Sequence, residues 1–125
     1  MDARRAAAGH IVLLLDDEPL ARMTLADMLY EAGFWTVETE NADQALHMLE
    51  SRDDIRIVFL DIVMRRGIDG LALAKLIRQR WPHIRIVLAS GKMYAPDHVL
   101  PEDAVFFHKP YRSRDVVPVL HRMAS

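Results

Sequence analysis

At 125 residues, 51% of them hydrophobic, the chain has the size of one domain with a single sizeable core, and a second domain has no room. Its 16 basic and 18 acidic residues leave a formal net charge of -2, which excludes a global field that would draw it to nucleic acid or to an anionic membrane. The absence of cysteine excludes a disulfide framework and thiolate metal sites, and a cytoplasmic location is the default expectation.

Met1 to Gly9 reads as a short lead-in, the apolar run Ile11 to Leu15 that follows it is far too short to span a bilayer, and the folded domain is expected over 10–125. Ile11 to Leu15 is an unbroken apolar run closed by Asp16, Asp17 and Glu18, the pattern of a strand buried on both faces. Leu20 to Ala32 is rich in Leu, Met and Ala, with Pro19 before it and Gly33 after it, which predicts a helix. A short strand is expected around Thr36 to Thr39. Asn41 then caps a helix whose Ala42, Ala45, Leu46 and Leu49 form one inward stripe, while Glu38, Glu40 and Glu50 stay in water.

Ile57 to Leu60 is a further apolar run, ended by Asp61, and Asp69 precedes a helix that turns Leu73, Leu76 and Ile77 inward and stops before Pro82. Ile84 to Ala89 leads into Ser90-Gly91, and Ala104 to Phe107 leads into His108-Lys109-Pro110, giving two more strands before a C-terminal helix. Pro96 and Pro101 leave space for only a short helix between Lys92 and Pro101. Pro118 would delete a backbone hydrogen bond from a helix capped at Ser113, so the regular helix is expected to start after Asp115. Strands and helices that alternate through short connections predict an α/β fold, a doubly wound parallel sheet with helices on both faces.

In such sheets functional groups collect beyond the carboxyl ends of the strands. Here those ends carry Asp16 and Asp17, Asp61, Ser90 and Lys109. Taken singly, each has a plainer role: a turn or helix-start acid, a strand-end cap, a turn hydroxyl, a solvated cation. Taken together they make an acidic pocket with a hydroxyl and a cation on its rim. Clustered carboxylates repel one another unless a hard cation sits among them, and Mg²⁺ favours a few carboxylates with waters and phosphate oxygens. The six histidines show no spacing suited to metal ligation, and none is assigned to a metal.

Asp16-Asp17-Glu18-Pro19, Asp61 with Met64, Asp69-Gly70, Ser90-Gly91 and Lys109-Pro110-Tyr111 together resemble the receiver domains of two-component response regulators, in the manner of a chemotaxis-regulator-like single receiver domain. The resemblance covers essentially the whole chain. It implies a five-stranded sheet in the flavodoxin-like order 2-1-3-4-5, and a Mg²⁺-dependent switch in which Asp61 takes a phosphoryl group from a phosphohistidine. It implies that Asp16, Asp17, Asp61 and the Val63 carbonyl hold the metal, and that Lys109 neutralises phosphoryl charge. Ser90 and Phe106 would then be the switch residues, and a cis peptide is expected before Pro110. The partners it implies are a sensor histidine kinase or phosphotransfer protein and an unidentified downstream protein, docked near Tyr94, Phe106 and Tyr111. No direct contact with nucleic acid or membrane is expected, and a homodimer is left open.

Departures from the family pattern lie beside Asp61. Met64-Arg65-Arg66-Gly67-Ile68-Asp69-Gly70 is one residue longer than the usual loop, with Arg65 where proline is common. Val63 has no polar side chain to position a hydrolytic water, so slow self-dephosphorylation is expected. A phosphatase-like hydrolase would need a second acid after its nucleophile, whereas Ile62 and Val63 follow Asp61. A nucleotide-binding module would need a glycine-rich cradle after a strand, and no such motif is present. A receiver-like scaffold that docks partners without phosphorylation is the remaining alternative. No output domain follows Ser125, so the chain is expected either to act alone by docking or to be a piece of something longer.

Overall fold

The computed structural model describes residues 10–62, 70–91 and 100–125. Within them the elements run β1 (Ile11–Leu15), α1 (Pro19–Glu31), β2 (Trp35–Thr39), α2 (Ala42–Ser51), β3 (Ile55–Asp61), α3 (Gly70–Arg80), β4 (Arg85–Ser90), β5 (Val105–His108) and α4 (Ser113–Ala124). The five strands form one sheet in the order β2-β1-β3-β4-β5, every neighbouring pair parallel, as the resemblance implies.

A strand in the middle of a parallel sheet must be apolar on both faces, and β1 is. Leu13 and Leu15 enter the layer covered by α2 and α3, with Ala45, Leu49, Leu73 and Ile77. Val12 and Leu14 enter the layer covered by α1 and α4, with Leu25, Leu29, Val116 and Leu120. Period-two alternation thus splits one run of residues between two separate cores, giving the doubly wound architecture.

The helix boundaries have local causes. Glu18 caps α1, its carboxylate accepting from the Leu20 and Ala21 amides at 3.4 and 2.6 Å, and Pro19 takes the first helical position rather than the one before the helix. Gly33 ends α1 with φ +95°, a left-handed conformation that favours glycine. Asn41 caps α2, its side chain accepting from the Gln44 amide at 2.8 Å. Of the stripe predicted on α2, Ala42, Ala45 and Leu49 are buried and Leu46 packs at the margin. On α3, Leu71, Leu73, Ala74 and Ile77 are buried, while Leu76 stays half-buried, so the inward face is turned slightly from the predicted one.

The C-terminal helix departs from expectation. α4 begins at Ser113, not after Asp115, and Pro118 lies inside it. The Val116 amide donates to the Arg112 carbonyl at 3.1 Å, and the Asp115 carboxylate accepts from the Arg112 amide at 3.3 Å. Pro118 faces solvent, where water can satisfy the carbonyl that loses its partner, and burial of Val116 and Leu120 on the sheet outweighs the local penalty. The short helix expected between Lys92 and Pro101 falls mostly outside the described residues. Among the described residues no helix is long and apolar enough to cross a membrane.

Candidate functional site

All five strands end at the same edge of the sheet, and four of them end in, or run directly into, a polar residue of the predicted site. β1 delivers Asp16, which is nearly buried, followed by the half-buried Asp17. β3 ends in Asp61, with a side chain 12% exposed. β4 ends in Ser90, which is fully buried. Lys109 follows β5 directly, and the Lys109–Pro110 peptide is cis, as expected.

The carboxylates of Asp16, Asp17 and Asp61 offer oxygens that all lie within 4.8 Å of one another. The Lys109 ammonium sits between two of them, 3.3 Å from Asp16 Oδ2 and 3.4 Å from Asp61 Oδ2. One cation among three carboxylates leaves excess negative charge at a poorly solvated edge. The donor set is all oxygen and anionic, the chemistry taken by a hard divalent cation rather than by zinc or copper. The sequence-predicted Asp16, Asp17, Asp61, Ser90 and Lys109 thus gather at one end of the sheet.

The backbone fixes that edge. The Lys109 amide donates to the Ser90 carbonyl at 2.8 Å and the Ile62 amide to the Ala89 carbonyl at 2.9 Å, so β3, β4 and the segment after β5 are held in line. The Gly70 amide donates to the Ile62 carbonyl at 2.9 Å, tying the start of α3 to the residue that follows β3. A Cβ on Gly70 would overlap the Asp61 carbonyl oxygen and lie 2.8 Å from the Asp61 carbonyl carbon and 2.9 Å from Ile62 Cα. Glycine is required there for this close approach.

Tyr111 forms one wall of a small recess lined also by Asp16, Arg22, Phe59, Asp61 and Lys109. Its ring packs on Phe59 and Phe107, with centroids 5.6 and 6.3 Å away. Burial, reinforced by the negative charges of Asp16 and Asp61, pushes its phenol up to about 12, so the neutral form is held well into the alkaline range.

Phe106 is half-buried on β5 and packs with Leu100 and Ala104 against the α2/α3 layer. Tyr111 packs against the α1/α4 layer, so the docking face expected from Tyr94, Phe106 and Tyr111 is divided across the edge strand. Tyr94 lies outside the described residues, as do the Val63 carbonyl and the loop from Met64 to Asp69.

Two contributors escape a motif reading. Arg22 on α1 donates from Nη1 to the Asp16 carbonyl at 2.7 Å and from Nε to Glu38 at 3.2 Å, so Glu38 is exposed but paired. Thr39 donates its hydroxyl to the Leu14 carbonyl at 2.7 Å. No short signature marks either residue; only the alternation that places their elements beside β1 hints at them.

Comparison with known proteins agrees with this geometry. Residues 12–118 match the family model described as Response regulator receiver domain. The chain is 32% identical over 116 residues to the response regulator protein FleR of Pseudomonas aeruginosa, covering 90% of this chain and 24% of that protein. Among solved structures, a response regulator receiver protein from Sinorhizobium medicae superimposes with a TM-score of 0.84 at 26% identity, over 91% of this chain and 93% of that one. TrrA from Thermotoga maritima, solved in complex with Mg²⁺-BeF, superimposes with a TM-score of 0.82 at 27% identity, over 90% of this chain and 97% of that one. The chain spans about a quarter of the length of FleR and of the NtrX-like relatives it matches.

Proposed function

Because the chain belongs to the response regulator receiver domain family, a family of two-component signalling switches, we propose that Asp61 is its phosphoacceptor and that the acid cluster beside it binds Mg²⁺. The observation behind this reading is the convergence of Asp16, Asp17 and Asp61 within 4.8 Å, bridged by Lys109.

In the proposed transfer an Asp61 carboxylate oxygen attacks the phosphorus of a phosphohistidine, the phosphorus–nitrogen bond breaks, and its electron pair leaves with the imidazole. Asp16 and Asp17, with Asp61 and the Val63 carbonyl, would hold the cation, which supplies charge neutralisation for the phosphoryl oxygens. Lys109, already poised between Asp16 and Asp61, neutralises a further oxygen without having to be recruited. Ser90, at the end of β4, is the hydroxyl for the bound phosphoryl group, and Phe106 on β5 converts its presence into a changed surface.

The donor is a sensor histidine kinase or a phosphotransfer protein, and the readout is docking to a downstream protein; both belong to the proposal, as do a cytoplasmic location and a domain reaching from residue 10 to 125. Slow loss of the phosphoryl group follows from the apolar Val63 side chain.

The test is intact mass after incubation with acetyl phosphate. Wild type is expected to gain a hydroxylamine-labile phosphoryl group only with Mg²⁺, and Asp61→Asn to gain none. A label that survives in Asp61→Asn would move the acceptor elsewhere. No label from acetyl phosphate or from phosphohistidine donors would favour a scaffold that docks partners without phosphorylation. A label on wild type that decays within seconds would overturn slow self-dephosphorylation.

A further inference from the structure

The acid pocket has a second cation beneath it that the transfer chemistry does not use. We propose that Arg22 is a positioning residue that holds Asp16 in its metal-binding pose, an inference that rests on the Mg²⁺-dependent reading above. Asp16 sits where β1 stops and the chain must turn into α1, so its peptide leaves the ladder with one face unsupported.

Asp16 is nonetheless held at its backbone amide and carbonyl and at both carboxylate oxygens. Its amide donates to the Thr39 carbonyl at 3.3 Å, and Thr39 reaches back to the Leu14 carbonyl at 2.7 Å. Its Oδ1 accepts from the Glu18 amide at 2.9 Å, and Oδ2 meets Lys109 at 3.3 Å. Its carbonyl accepts from Arg22 Nη1 at 2.7 Å, and the Arg22 side chain is only 15% exposed. The other edge of the same guanidinium meets Glu38 at 3.2 Å, which ties the turn after β1 to the end of β2.

Two properties suit Arg22 to this task. Its planar fork spans two acceptors in fixed geometry, which an ammonium does not reproduce. Its charge is answered by Glu38, so it braces the acidic turn with little repulsion of a cation bound to the carboxylates.

The competing view of Arg22, as a positive charge near a metal site, makes the opposite prediction. Removing a neighbouring cation should tighten Mg²⁺ binding, whereas removing a brace should weaken it. Calorimetric titration with MgCl₂ alone, without any phosphoryl donor, separates the two. Arg22→Met is expected to weaken Mg²⁺ binding about 10-fold, the usual effect of losing a group that orients a metal ligand. Arg22→Lys, which keeps the charge and most of the stem, is expected to weaken it as well, with an unchanged circular-dichroism spectrum in the absence of metal. Mg²⁺ affinity equal to or tighter than wild type in a folded Arg22→Met or Arg22→Lys variant would overturn the proposal. If wild type itself bound no Mg²⁺, the metal-dependent reading of the pocket would fall first, a result distinct from a normal titration in the variants.

Discussion

The two ends of the sheet treat charge in opposite ways. At the amino end of the strands two well-exposed pairs are matched, Arg52 with Asp54 at 2.8 Å and Arg80 with Glu50 at 2.8 Å, with the Arg80 guanidinium also lying 4.4 Å over the Trp81 ring. At the carboxyl end, Asp16, Asp17 and Asp61 crowd around Lys109, and Asp16 and Asp61 are largely withdrawn from water. Pairing in water contributes little to stability but is harmless, whereas like charges gathered out of water work against the fold. A chain that needed only to fold would have no use for the second arrangement, and the contrast supports the proposal that the carboxyl end binds a cation.

The largest expected effect that sharpens this contrast is at Tyr111. The folded protein keeps the Tyr111 proton up to about pH 12, while an unfolded chain releases it near its ordinary value of 10.0. The stability linked to this proton is therefore complete below pH 10 and is lost as pH rises through 12, a fall of roughly 3 kcal/mol across the window. Urea unfolding from pH 9 to 12 should show that fall in wild type and a shallower one in Tyr111→Phe; identical curves would mean that the phenol is not shielded beside the acids.

A smaller effect, of opposite sign to most substitutions, is expected at Asp61. Without Mg²⁺, Asp61→Asn should raise the unfolding free energy by roughly 1–2 kcal/mol by relieving repulsion among the acids. A less stable Asp61→Asn protein would erase the distinction between the two ends.

The smallest effect is at the amino end. The hydrogen bond from Arg52, with a lesser contribution from its charge, holds the Asp54 carboxyl below its ordinary range. Its contribution is present above the unfolded value of 3.8 and disappears as pH falls through the lowered folded value. Because both side chains are well exposed, Asp54→Ala should cost less than about 1 kcal/mol at pH 7. A larger loss would show that pairing at this end is a structural necessity.

The order of elements and the pocket residues were legible because they depend on patterns that tertiary contacts reinforce. The apolar run of β1 has one meaning in a parallel sheet, and acids placed after such runs must meet at one edge. What escaped depends on contacts that no local pattern encodes. Pro118 argues locally against a helix starting at Ser113, yet burial of Val116 and Leu120 prevails. Arg22 looks like any helix arginine until α1 is laid against the turn after β1, and Leu76 was misplaced because the inward face of α3 is centred on Leu73, Ala74 and Ile77. The division between Phe106 and Tyr111 could not be read from alternation, because β5 ends at His108 and Tyr111 lies beyond it.

The bare backbone of Gly70 against the Asp61 carbonyl has a mechanical consequence. Most helices in this fold meet the sheet through side chains, which rotate and compress and so absorb small displacements. At the start of α3 no such cushion exists, since the first helical residue rests directly on the peptide of the proposed phosphoacceptor. A push on that end of the helix by a bound protein would arrive at Asp61 undamped, and a shift of Asp61 would be returned to the helix with the same stiffness, as in a rod rather than a spring.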